Sequence, residues 1–382
     1  MPWSQTDPMK ERTKFVILAQ EKLYRMSELC ERFGISRQTG YTWLHRYEAK
    51  GSEGLQSRSH APRTCPHRMA PEIRTVLLEA RKAHPDWGPR TLLARLRRQH
   101  PELVLPAAST VGDLFKREGL VEPRPRRRTW THPGRAWPVV EAPNQLWNTD
   151  FKGQFRTGDG ATCYPLTVTD THSRFLLACQ GLSSTAHRGA KATFEWLFRE
   201  CGLPQAIRSD NGGPFCTKAI AGLSQLSVWW TQLGIKHQRI EPGRPEQNGA
   251  HERMHRTLKA ATLRPPAPSI HVQQERFEAF RRDYNEERPH QGIEMRTPGS
   301  LYVASTREMP ERIAPPEYGG HCQVRRVRGN GILYFRDRTL FLSELLIGQD
   351  VALEEIEEGV WSIYFYDLLL ARLDERAGKL SG

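Results

Sequence analysis

"RIEPGRPEQNGAHERMHRTLK", residues 239–259, decides the fold of this 382-residue chain. Its first residues close an extended run, "IKHQRIEP". A Pro-Gly and Asn-Gly rich turn follows, and the remainder has helical spacing with a basic face. Upstream, "NQLWNTDFKGQF" alternates with period two, and "CYPLTVTDTHSRFLLACQGL" reads as a hairpin turning near Asp170 to Ser173. "TAHRGAKATFEWLFRECG" is an amphipathic helix stopped by Gly202, "AIRSDNGG" a short strand running into a turn, and "AGLSQLSVWWTQLG" a further helix. Three strands, a helix, then strand, helix, strand, helix predict an α/β layer with a mixed sheet.

The rest of the chain is organised differently. Residues 1–140 hold 26 Lys and Arg against 14 Asp and Glu, whereas the remaining residues hold 30 against 29. Nearly all of the +13 net charge therefore sits in the first third, as in a polyanion-binding arm. "TKFVILAQEKLY" and "MSELCERFGISRQTGYTWLHRYEAKG" predict helices broken at Gly34. Ser27 is expected to cap the helix carrying Leu29 and Phe33, and Ser36 the one carrying Tyr41, Leu44 and Tyr47. That layout is a helix-turn-helix, and its second helix would present Arg37, Gln38, Thr39 and Thr42 early, where base edges are met. A second helical unit spans 71–121, with Ser109 or Thr110 as a cap and Gly119 as a stop. Pro- and Arg-rich linkers precede and follow it, and the second, "EPRPRRRTWTHPGRAWP", could track a phosphate backbone.

Near the C-terminus, "QVRRVRGNGILYF" contains Asn330-Gly331, a hairpin signal, and "TLFL", "DVALEE", "GVWSIYF" and "LLLARL" complete five short strands. They are expected to close into a small SH3-like β-barrel. Seven scattered cysteines without a CxxC pair fit neither a disulfide framework nor a zinc finger. No apolar run approaches the ~20 residues that span a bilayer, and the first residues lack a signal-peptide layout, so the chain reads as cytosolic.

Three acids sit where acids are costly unless used: Asp150 between apolar residues of a strand, Asp210 at the end of a short strand, and one of Glu241, Glu246 and Glu252 in the opening stretch. Carboxylates on strand ends and a facing helix can hold two divalent cations, which suits phosphoryl transfer. "WNTDF", "IRSDNGGPF" and "EPGRPEQNGAHERMHRTLK" resemble the three signatures of the DDE integrase-core superfamily, whose fold is ribonuclease H-like. With the helix-turn-helix units, "YNEERPHQGIEMRTP" and the terminal strands, the whole chain resembles bacterial insertion-sequence transposases.

The resemblance implies a catalytic and metal-binding set of Asp150, Asp210 and Glu252, two Mg²⁺ ions with Mn²⁺ as a substitute, and Arg256 and Lys259 as DNA-binding cations. Counting by the spacing common among relatives lands on Glu246, since 41 residues separate Asp210 from Glu252. The local motif, Gln247-x-Gly249 followed by Ala250, His251 and Glu252, selects Glu252 instead. Glu246 follows Pro245 in the turn, where an acid complements a helix N-terminus and needs no other role. Glu252 lies within the helix, with Arg256 and Lys259 on the same face. The surplus six residues are expected in or around "GLSQLSVWWTQ". Glu241 reads as a solvated strand-edge residue and Asp170 as a turn residue. His237 and His251 read as DNA-facing or surface positions, and Trp229 and Trp230 as core or interface aromatics.

Domain limits follow: 1–56 and 71–121 for DNA-binding helical units, 57–70 and 122–143 for basic linkers, 144–305 for the catalytic core and 318–376 for the barrel. The implied function is a transposase that binds the terminal inverted repeats of its element and cleaves and joins DNA strands. Its partners would be double-stranded DNA, both element ends and target, and at least one further copy of the chain. It would associate with the bacterial nucleoid when bound to DNA. The alternatives are a catalytically silent DNA-binding regulator of the same fold and a ribonuclease H-type nuclease.

Overall fold

The structure is a computed structural model that describes residues 7–57, 69–121, 140–241 and 249–381. Most of both predicted linkers, and Glu246 with its turn, lie outside the described residues. The chain divides into two compact units, Met1–Arg68 and Met69–Gly382. Among the described residues no helix is long and apolar enough to cross a membrane.

The first unit is three helices, α1 (Pro8–Gln20), α2 (Met26–Arg32) and α3 (Arg37–Lys50). Phe15, Val16, Leu29, Cys30 and Leu55 form its core. Ser36 caps α3 as predicted, its Oγ accepting from the Thr39 N–H at 3.1 Å. Ser27 does not cap α2. The helix starts one residue earlier, at Met26, and the Glu28 carboxylate accepts from the Arg25 N–H at 3.1 Å. Tyr41 is 46% exposed rather than packed inward, because Gly40 takes the inward position of that turn. A Cβ at Gly40 would stand 2.7 Å from the Cys30 Sγ, so α2 and α3 cross where only a hydrogen fits.

The second unit opens with α4 (Pro71–Ala83), α5 (Pro89–Gln99) and α6 (Ala108–Arg117), packed around Leu77, Trp87, Leu93 and Phe115. Ala107 occupies the N-cap of α6, so Ser109 and Thr110 lie inside the helix rather than capping it. Gly119, at φ 70°, follows its end.

The α/β layer is built from β1 (Leu146–Phe151), β2 (Phe155–Arg156), β3 (Thr162–Asp170), β4 (Leu176–Leu182), β5 (Ala206–Ser209) and β6 (Lys236–Arg239). Strand β1 pairs antiparallel with β3 and parallel with β5, and β5 pairs parallel with β6, which gives the predicted mixed sheet. Helices α7 (His187–Cys201) and α8 (Gln225–Gln232) cover one face, α9 (Gly249–Thr262) and α10 (Ile270–Arg282) the other. Strand β3 is buried on both faces, and alternation sorts its side chains. Leu166 and Val168 join Phe194, Phe198, Trp229 and Trp230 under α7 and α8. Thr167 and Thr169 point to α9. Each fully buried aromatic or aliphatic side chain contributes about 1.5–3 kcal/mol relative to exposure. Both tryptophans are core residues, Trp230 wholly so.

The predicted closed barrel is wrong. Strands β7 (Gln323–Arg326), β10 (Asp350–Glu357), β11 (Val360–Phe365), β12 (Leu368–Asp374) and β13 (Lys379–Ser381) form an open antiparallel sheet in the order β13-β12-β11-β10-β7. Strands β8 (Ile332–Phe335) and β9 (Arg338–Phe341) pair only with each other. A barrel needs its terminal strands joined by hydrogen bonds. Here β7 and β13 each keep a free edge among the described residues, and the β8–β9 hairpin stacks its Leu333, Phe335 and Leu340 on Val351, Leu353 and Trp361. Asn330 and Gly331 do adopt left-handed φ values of 67° and 72°, but they turn the chain out of β7 into this second layer. Alternating patterns identify strands without saying which edges meet. The segment before α8, where surplus length was expected, contributes Leu223 to the same C-terminal core, joined there by Val228 of α8.

Candidate active site

Because β1 and β5 are parallel neighbours, residues at their C-terminal ends share one edge of the sheet. Asp150 lies near the end of β1, opposite Thr167 of β3, and Asp210 follows the last residue of β5. Burial pushes the Asp150 carboxyl up to about 7, with the Asp210 charge adding to the rise. The Phe151 N–H and Lys152 oppose it, and Glu252 adds a smaller push upward. Asp150 thus lies within the field of both Asp210 and Glu252. Burial also raises the Asp210 pKa, against the Gly212 N–H. Gly212 is needed in that turn, since a Cβ there would stand 2.9 Å from the Asp210 Oδ2. The Asp210 Oδ1 is buried without a hydrogen-bond partner.

Glu252 sits in the first turn of α9, exposed, with the exposed Arg256 and Lys259 one and two turns further along its face. Among the described residues, no three His, Cys, Asp or Glu side chains are gathered closely enough to hold a metal ion together. The donor chemistry nevertheless fits a hard divalent cation. Carboxylate oxygens are its preferred ligands, one of them is orphaned, and burial together with the Asp210 charge already raises the Asp150 pKa.

The opposite face of α9 carries His251, which the sequence reading misplaced, and His255, which it did not single out. His251 and His255 are buried, not DNA-facing, with ring centroids 4.6 Å apart. The Thr167 Oγ lies 2.7 Å from both Nε2 atoms and 3.1 Å from the Asp150 carbonyl oxygen, to which it donates. Its single hydrogen is then used, so both imidazoles donate from Nε2. The His251 Nδ1 accepts from Thr169 at 2.9 Å. The His255 Nδ1 is left unprotonated 3.8 Å from an Asp150 oxygen, too far for a hydrogen bond. That approach is no ion pair at neutral pH, because burial lowers the His255 pKa to about 2. The available signal was the i, i+4 spacing of His251 and His255, which alternates with Met254 and Leu258 along the apolar face.

His237 is likewise internal. Its Nε2 lies 2.8 Å from the Ser209 Oγ, which donates to the Asp210 carbonyl at 2.9 Å, and burial lowers its pKa to about 4. Asp170 is fully buried and ties its turn. Its carboxylate accepts from the Asn144 N–H at 2.8 Å, the Ser173 N–H at 2.8 Å and the Ser173 hydroxyl at 2.6 Å. In the first unit, Arg37, Gln38, Thr39 and Thr42 are exposed on the opening turns of α3. The Thr42 hydroxyl donates to the Gln38 carbonyl at 2.7 Å and that of Thr39 pairs with Ser36 at 2.9 Å, which leaves Arg37 and Gln38 with the freer side chains.

Comparison with known proteins identifies the domains. Residues 140–245 match one integrase core domain model and residues 233–298 another. The chain carries an integrase core. A helix-turn-helix domain matches residues 11–63 and a homeodomain-like domain residues 39–115, so the core is fused to DNA-binding helical units. An uncharacterized 39.2 kDa protein of insertion element IS476 from Xanthomonas euvesicatoria is 26% identical over 75% of this chain and 80% of that protein. The Gag-Pol polyprotein of baboon endogenous virus is 34% identical over 31% of this chain. The match spans only 6% of that polyprotein's length, and 10% of the Pol polyprotein of feline endogenous virus ECE1. Among solved structures, the HTLV-2 integrase catalytic core domain aligns at 16% identity with a TM-score of 0.34, over 42% of this chain and 98% of that one.

Proposed function

We propose that this chain is the transposase of an insertion sequence, with Asp150, Asp210 and Glu252 as its catalytic acids. The observation that carries the reading is the placement of Asp150 and Asp210 at the neighbouring C-terminal ends of β1 and β5, with the charges of Asp210 and Glu252 both felt at Asp150, in a chain that also carries helix-turn-helix units. A regulator that only bound DNA would gain nothing from a buried, partnerless Asp210 oxygen beside a carboxyl raised to about 7.

The three acids would hold two Mg²⁺ ions, or Mn²⁺, which when bound supply charge stabilisation to a phosphoryl transfer. The protein's own residues do the positioning. Thr167, held by both histidines, donates to the Asp150 carbonyl and so fixes the strand that presents the carboxylate. The Gly212 turn keeps Asp210 beside it. Arg256 and Lys259 extend the face of Glu252 as cations for the phosphates of the same DNA strand. Water attacks the phosphodiester at the element end and displaces its 3′-oxygen as a free 3′-OH. That hydroxyl attacks a target phosphate in line, forming the new ester bond as the target strand's own 3′-oxygen leaves. No Ser or Tyr nucleophile is required. The α3 residues Arg37, Gln38, Thr39 and Thr42 are assigned to reading the terminal repeats. Handling two ends calls for at least a dimer.

The deciding experiment incubates the full chain with duplexes copied from the DNA flanking its gene, a plasmid target and Mg²⁺. Joined products are expected, and binding without cleavage or joining would favour the regulator. Mg²⁺ should also raise the melting temperature of the wild type. At a hundredfold excess over the dissociation constant the stabilisation is about 2.7 kcal/mol. Asp150→Asn should lose that increment, and an equal increment in the variant would remove Asp150 from the ligand set.

A further inference from the structure

A second polar cavity, of about 770 Å³, opens beside α9 and includes Arg174, Arg253, Arg256, Tyr284, Arg288 and His290 in its wall. The one acid in that wall is Asp86, at its exposed rim. Four guanidinium groups therefore line one cavity, and among the described residues none of the four is in a salt bridge. The wall is built rather than incidental. Arg174 is presented from the β3–β4 turn in a left-handed conformation, φ 66°. Gly292 lies across from it, and a Cβ there would reach 4.0 Å from the Arg174 Nε.

The remaining wall comes from "YNEERPHQGIEMRTP", a motif that the catalytic reading leaves without a task. A π turn at Asp283–Glu287 is clamped to β4 by the Asn285 amide, which accepts from the Leu176 N–H at 2.8 Å and donates to the Leu176 carbonyl at 3.0 Å. The His290 Nε2 donates to the Tyr284 carbonyl at 3.2 Å, and its ring packs edge-on to Tyr284. Arg288 lies 5.7 Å over the ring of the buried Trp87 of the α4–α6 unit. That unit is held to the same segment by Arg95 and Glu287, 3.1 Å apart.

Burial pushes the Tyr284 hydroxyl up to about 12, with Arg288, Arg174 and Arg253 all pulling it back down, so the three cations converge on one point. Desolvation lowers the Arg174 pKa, and the like charge of Arg253 adds to that. Asp283 and Asp86 act on Arg288 and Asp170 on Arg174, but none of these acids forms a salt bridge with them, and an anion of matching shape would relieve the remaining cost of the gathered cations. Planar guanidinium forks match phosphate oxygens, and a DNA strand supplies phosphates at regular intervals.

We propose that this cavity seats the phosphodiester backbone of the bound DNA, beyond the phosphates reached by Arg256 and Lys259. Arg256 belongs to both surfaces, one turn from Glu252 and in the cavity wall, so a strand running along α9 passes from one to the other. The inference rests on the proposed function only in requiring DNA at the core.

The test uses the full chain and a mixed-sequence duplex, with affinity followed by fluorescence anisotropy across a salt series. Arg174→Gln/Arg288→Gln should bind more weakly, with a log–log salt slope shallower by about 1.8, since each lost phosphate contact removes about 0.9. Arg174→Lys/Arg288→Lys should restore most of the slope. In the wild type, the duplex should protect Arg174 and Arg288 from phenylglyoxal, a readout that no folding defect of a variant can compromise. Unchanged slope with folded variants, or no protection, overturns the proposal. Melting raised by inorganic phosphate in the wild type alone, with the duplex slope unaffected, would assign the cavity to free phosphate and also overturn it. A wild type that binds duplex but joins no strands defeats the transposase reading and leaves this one standing.

Discussion

Glu252→Gln is expected to abolish cleavage and strand transfer while leaving DNA binding intact, a loss of about 10³-fold or more, the scale on which removal of one member of a catalytic set acts. Glutamine keeps the size and removes the charge, so the set loses a ligand without losing a helix turn. Among the described residues of the opening stretch, Glu252 is the acid whose charge reaches Asp150. It also stands on the face of α9 that carries Arg256 and Lys259. Glu246 lies outside the described residues. Glu246→Gln should retain substantial activity, losing a helix-end interaction of ~0.3–1 kcal/mol. Both variants should be assayed on pre-cut and uncut ends, in Mg²⁺ and in Mn²⁺. An inactive Glu246→Gln beside an active Glu252→Gln would show that spacing, not the local motif, identifies the third acid.

The layer fold was legible because its signals are local. Period-two alternation marks β1, turn composition marks the β3–β4 hairpin, and Gly202 stops α7 at a left-handed φ of 72°. Asp150 and Asp210 were legible because a carboxylate inside an apolar strand or at its end is too costly to be incidental. The open C-terminal sheet was not legible, because closure depends on which edges meet across the domain, and alternation carries no such information. The α2 cap was misread for a different reason. Serine is the better N-cap by propensity, but the Glu28 carboxylate accepts from the Arg25 N–H and sets the N-cap two residues earlier, at Arg25, and geometry overrode preference. His251 was misread through residue type, and His255 was passed over. Histidine suggests ligands and surfaces, whereas two threonines on β3 satisfy both nitrogens of His251 and one of His255 inside the core. The arginine cavity needed tertiary structure outright, since Arg174 and Arg288 lie on separate turns that only folding joins.

Those internal histidines make the fold acid-labile. Burial lowers the pKa of His251 to about 3, of His255 to about 2, and of His237 and His290 to about 4 each. In the unfolded chain the same imidazoles titrate near 6.5. Between those values the unfolded state binds more protons, so stability is full above about pH 6.5 and is lost as the pH falls. At about pH 5 each imidazole costs about 2 kcal/mol, or about 8 kcal/mol for the four. Asp150 acts in the opposite sense. Its native pKa of about 7 lies above the unfolded value, so protonation on acidification favours the native state. Two pH units of that effect return about 3 kcal/mol. Over these five groups the histidines outweigh Asp150 by about 5 kcal/mol. The raised carboxyls of Asp210 and Asp283 act with Asp150, and the lowered His84 and His187 with the other histidines. The urea midpoint should therefore fall steeply between about pH 7 and pH 5. His251→Gln, which removes one titrating ring, should flatten the dependence by about 1.4 kcal/mol per pH unit. A wild-type midpoint that holds or rises on acidification would mean that these rings are protonated inside the fold, and that the tautomers assigned around Thr167 are wrong.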